Sequence, residues 1–148
     1  MDEKDILILK KLVKNSRTTL AELGEILDMS VSSVHKRIKK LEKEGVIERY
    51  TISLNPDLFE CVTAFVLIGA EDIEEVVTEA RKFRDIIEIY QALGNFNIVL
   101  KIRSDSLEKI GRVTSALSNL KSVMMLECII TTKRIKEDVW YPEVPEEV

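Results

Sequence analysis

Two cysteines, one histidine and no long apolar run set the first limits on this 148-residue chain. Cys61 and Cys128 stand alone, far apart and outside any metal-ligand spacing, which argues against a disulfide scaffold and against a Cys/His metal frame. Both are expected to be free, buried thiols in a reducing cytoplasm. No HExxH, no GxGxxG and no phosphate-binding Gly/Lys/Ser loop occurs. The chain offers no catalytic constellation, and neither a cofactor nor a metal is expected. No run approaches the ~18 apolar residues that span a bilayer. The charged opening Met1-Asp2-Glu3-Lys4 is unlike a secretion signal. A cytoplasmic protein is expected.

What remains is ordinary for a soluble globular protein: 45% hydrophobic and 32% charged residues, enough for one domain or two small ones. The charge is unevenly placed. Residues 1–54 hold 11 Lys+Arg against 9 Asp+Glu, a net of +2; the other 94 hold 11 against 17, a net of −6. Only the first part is basic, and it also has a DNA-binding shape. Val31, Val34, Ile38 and Leu41 recur at helical spacing and predict a helix over Ser30–Glu44 with one buried stripe. Lys36 points away from that stripe; Ser32, Lys39, Lys40 and Lys43 fan around it, and His35 and Arg37 lie on the flanks. Ser30 suits the cap and Gly45 the left-handed stop. Thr19–Leu27 predicts a shorter helix upstream, separated only by Asp28-Met29, and Asp2–Lys14 a first helix whose Ile6, Leu9, Leu12 and Val13 would complete a three-helix core. Val46–Ile52 is rich in β-formers and predicts a wing strand. The whole is a winged helix-turn-helix, a motif that lays its second helix in the major groove of double-stranded DNA. Lys36, Arg37, Lys39 and Lys40 are expected at phosphates, and Ser32, Ser33, His35 and Lys36 near base edges.

Asn55-Pro56-Asp57 breaks the chain. Beyond it, Val62–Ala70 reads as a strand, Ile73 to Phe83 as a helix and Ile86–Leu93 as a second strand. A third strand carries Phe96, Ile98, Leu100 and Ile102, and a helix capped by Asp105 or Ser106 follows. A last strand covers Val123–Thr132, extended towards Ile135. The order βαββαβ is ferredoxin-like, making the chain α+β. The expected organisation is 1–54 for DNA binding, 55–57 as linker, 58–138 for dimerisation and effector binding, and 139–148 as tail. Strands with two apolar faces need cover on the side away from the helices, and a second copy of the domain supplies it as a homodimer. Trp140 and Tyr141 would pack over the sheet edge or anchor one dimer to another.

The residues now carry a family resemblance over almost the whole chain. Thr19-Leu20-Ala21-Glu22-Leu23, the run Ser30–Ile47 and the corner Gly94-Asn95-Phe96-Asn97-Ile98-Val99-Leu100-Lys101 resemble the Lrp/AsnC, or feast/famine, transcription regulators. The resemblance implies a DNA-binding regulator whose homodimers assemble into tetramers or octamers. It also implies a small-molecule effector, such as an amino acid, held between dimers at Gly94, Asn95 and Asn97. Thr131 and Thr132 sit where the last strand of that domain often carries Ser or Thr, and the resemblance implies that they too belong to the effector site. Members often carry an acidic residue at Asn95 or Asn97. Asparagine hydrogen-bonds a ligand but does not attract an ammonium by charge. Asp28 stands where glycine is frequent, and aspartate tolerates the left-handed geometry. A DNA-coating protein without an effector would use the same parts. Some proteins similar to the family decarboxylate tetrapyrroles, which would want pocket histidines, and the single histidine here lies on the DNA-facing helix.

Overall fold

The computed structural model describes residues 1–143, which divide into two compact units: Met1–Ser53 with the segment from Lys136 onwards, and Leu54–Ile135. The tail residues Lys136–Asp138 thus group with the first unit, and the Asn55-Pro56-Asp57 break with the second.

The first unit is built on three helices, α1 (Glu3–Lys14), α2 (Leu20–Leu27) and α3 (Val31–Lys43). Each begins on a side-chain cap, Asp2, Thr19 and Ser30 respectively, because the first amides of a helix have no partner of their own. At α1 and α2 the cap is reciprocal: Asp5 and Glu22 return a carboxylate to the amides of Asp2 and Thr19. Asp28 ends α2 in the left-handed region, with φ +49°. The turn is tight because α2 carries glycine where it meets Met29: a Cβ on Gly24 would lie 2.6 Å from the Met29 carbonyl oxygen. The core is Ile8, Leu9, Leu23, Leu27, Val34, Ile38 and Leu41.

Three expectations are corrected here. Ile8 and not Val13 is buried, since Asp5, itself 3% exposed, turns inward and sets the rotation of α1. Val31 is half exposed although it shares the face of the stripe, because it is the first residue of α3 and lies at the end of the packed helix. Val46–Ile52 forms no strand: the chain bends at Val46 and Ile47, and no described segment pairs with it. Instead the amides of Val46 and Ile47 close on the Leu41 carbonyl, Ile47 packs on the helical core and Tyr50 donates to Glu42 at 2.9 Å.

The second unit opens with a 3-10 turn, Pro56–Leu58, capped by Asn55. It then runs β1 (Val62–Ala70), α4 (Ile73–Ala80), β2 (Ile86–Gln91), β3 (Ile98–Ser104), α5 (Leu107–Ser118) and β4 (Val123–Ile130). The sheet is antiparallel in the order β2-β3-β1-β4. Alternation decides its two faces. Ala64, Val66, Ile68, Ile98, Leu100 and Ile102 are buried against Val76, Ala80, Ile110, Val113 and Leu117 of the helices. β4 stops at Ile130, and Ile135, expected near the strand's end, is 91% exposed. Cys61 is half-buried and donates to the Pro56 carbonyl, whereas Cys128 is exposed on the edge strand, not buried as expected. Burial there would need a further layer, and β4 lies at the limit of the sheet.

Candidate nucleic-acid interface and ligand corner

At the start of α3 the Ser30 hydroxyl accepts from the Ser33 amide and lies 3.1 and 2.8 Å from the hydroxyls of Ser32 and Ser33. Ser32, His35, Lys36, Lys39 and Lys40 are exposed and Ser33 is half-buried. Lys39 pairs with Glu42 at 2.7 Å and Lys40 with Glu44 at 3.8 Å, exposed pairs worth little in water and easily exchanged for a phosphate. Lys36 has no carboxylate partner among the described residues. Hydroxyls at the N-terminal turn and ammonium groups along one outer face form the surface that a DNA-reading helix needs.

Arg37 does something else. Its Nη1 donates to Asp2 Oδ2 and to Asp5 Oδ1, both at 2.7 Å. The bond from Arg37 and the Asp5 amide hold the Asp2 carboxyl below the usual carboxylate range; the same carboxylates, Asp5 foremost, push the Arg37 pKa up. Of the seven side chains expected at DNA, this one is turned to α1 and clamps α3 in place. Asp2 and Asp5 were not foreseen as its partners, although two carboxylates three apart at a helix start signal a cap.

In the second unit, the corner between β2 and β3 folds back on the end of β1. The Asn97 amide donates to Ile68, and its side chain closes a ring on Ala70, with Oδ1 accepting from the amide at 3.0 Å and Nδ2 donating to the carbonyl at 2.7 Å. Gly94 has φ +120°, Asn95 is exposed and Leu93 projects fully into solvent. The approach is so close that a Cβ on Gly69 would lie 2.5 Å from the Asn95 carbonyl oxygen. Sequence reading missed Gly69, though an isolated glycine inside a strand is a signal of such an approach.

Thr131 and Thr132 are not beside this corner. Thr131 bonds through both its amide and hydroxyl to the Thr63 carbonyl at the other end of β1, and Thr132 is exposed. Thr63 and Gly69 are six residues apart on one strand, roughly 20 Å at 3.3 Å per residue. Within one chain the five expected ligand residues form two groups.

The sheet face away from the helices carries Phe65, Leu67, Tyr90, Val99, Met125 and Ile129. The register sets them side by side: Phe65 opposite Ile129, Leu67 opposite Val99 and Tyr90 opposite Val99. Phe65, Tyr90, Met125 and Ile129 are all exposed. Polar pairs are interleaved, Glu88 with Lys101 at 3.3 Å and Thr63 with Arg103 at 3.1 Å.

A helix-turn-helix with a basic, outward second helix, followed by a separate sheet domain, defines a two-domain DNA-binding regulator. Known proteins agree. Residues 1–48 match the family model for winged helix-turn-helix DNA-binding, and residues 63–141 that for the Lrp/AsnC ligand binding domain. The HTH-type transcriptional regulator FL11 of Pyrococcus abyssi is 32% identical over 145 residues, 96% of each chain. The chain belongs to the Lrp/AsnC family of transcription regulators. LrpC of B. subtilis is similar in structure, with a TM-score of 0.79 at 25% identity over 92% of this chain and 97% of that one. A Neisseria meningitidis regulator solved as its L-Met complex shares the fold, with a TM-score of 0.83 at 24% identity over 96% of each chain.

Proposed function

We propose that this regulator reads a double-stranded operator through α3 as a homodimer. Lys36, Lys39 and Lys40 neutralise phosphates, and Ser32, Ser33, His35 and Lys36 lie near the bases. The observation that carries the reading is the division of labour on α3: one basic residue, Arg37, is spent on holding the helix, and the others stay on the outer face. Lys40→Ala tests it: affinity for all sequences should fall about equally and the salt slope should drop by about one. The open sheet face is covered by the same face of a second copy, so each dimer carries two α3 helices, one for each half of an operator. Reading DNA places the protein in the cytoplasm, and no described helix is long and apolar enough to cross a membrane. The role is regulation, not catalysis.

An amino acid or similar small molecule is the effector, as the L-Met complex of the Neisseria relative supports. Gly94, Asn95 and Asn97 of one chain meet Thr131 and Thr132 only if another copy supplies the second group, so such a site lies between copies. One observation favours a second reading, a DNA-coating role without effector: the Asn97 side chain is already spent on Ala70. A thermal-shift screen against the amino acids separates the two, since a ligand selective for the native state raises the melting temperature.

A further inference from the structure

Of the four apolar side chains on α3, Val34, Ile38 and Leu41 are buried and only Val31 faces water, at 50% exposure. It is the first residue of the helix, directly after the Ser30 cap. The first residues of a helix-turn-helix recognition helix are the ones that reach base edges. A valine there has no donor or acceptor, and the one apolar feature of a base-pair edge in the major groove is the thymine 5-methyl group. Val31 is also β-branched, and a helix allows it essentially one rotamer, so its methyls are held in place. It lines an open cleft between α2 and α3 with Ala21, Gly24, Glu25, Asp28 and Met29.

We propose that Val31 is a specificity-determining residue that contacts the 5-methyl group of one thymine in each operator half-site. The assignment rests on the reading of α3 as the DNA-binding helix. Its test begins by selecting bound duplexes from a randomised library with the full-length protein. Each thymine of the recovered half-site is then replaced by deoxyuridine, which lacks only that methyl, and affinity is measured at fixed salt. At one position wild type should lose roughly fourfold, the worth of one buried methyl. With Val31→Ala, which keeps a helix-favouring residue, that loss should vanish, while Lys36→Ala should bind more weakly yet keep it. Deoxyuridine penalties that are absent, or the same in wild type and Val31→Ala, overturn the Val31 assignment alone. Failure to recover any enriched sequence overturns the DNA-binding reading and the Val31 assignment with it.

Discussion

Arg37 decides how the basic helix should be read. A flank position on a wheel does not say whether a cation faces solvent or a neighbouring helix, and here two carboxylates from α1 draw it inward. Asp5 is almost fully buried, so removing its partner strands a charge. Arg37→Met should cost about 1–3 kcal/mol in urea unfolding, the cost of leaving the buried Asp5 acceptor without its partner, with the slope unchanged. In DNA binding the same variant should keep the wild-type salt slope, unlike Lys40→Ala. Acid dependence follows from Asp2. Its folded pKa is depressed, so its contribution is complete above the ordinary value of 3.8 and is lost as pH falls through the lower folded value. Acid unfolding of Arg37→Met should be less steep below pH 3.8 than that of wild type. Asn97 gives a second test at this scale. Its side chain makes two hydrogen bonds to Ala70, so Asn97→Ala should lower stability by about 1–2 kcal/mol, whereas Asn95→Ala, an exposed side chain, should leave the melting temperature unchanged.

Elements were legible where one local signal governed them. The Ser30 cap, the strict alternation of Ile98, Leu100 and Ile102, and the apolar run of Val62–Ala70 each specify an element without help from elsewhere. Elements that depend on a partner were not. The β-forming composition of Val46–Ile52 states a preference, and a ladder needs a neighbour. Likewise the corner after β2 reads as a plain hairpin from Gly94-Asn95, and nothing local reveals that Asn97 reaches across to Ala70. The half-exposed Val31 escaped for a similar reason, since periodicity places a residue on a face but does not say where the facing helix ends. Gly24 is a test at this scale. The α2–α3 turn leaves no space for a methyl beside the Met29 carbonyl, so Gly24→Ala should destabilise the helical unit by roughly 1–3 kcal/mol. Thermal melting followed by circular dichroism checks it.

At the scale of the whole molecule, one unit reads DNA, and we propose that the other covers its apolar sheet face with a second copy. Phe65→Glu places a charge in the middle of that face, opposite Ile129. Sedimentation of the full chain should then show monomers where wild type sedimentates as a dimer or larger. The central claim, that α3 is the DNA-binding surface, is tested most directly by the affinity of a Lys36→Ala/Lys40→Ala double variant across a salt series. Two fewer phosphate neutralisations should lower the slope of log affinity against log salt by about two. Unchanged affinity and unchanged slope would remove α3 from the interface and contradict the account.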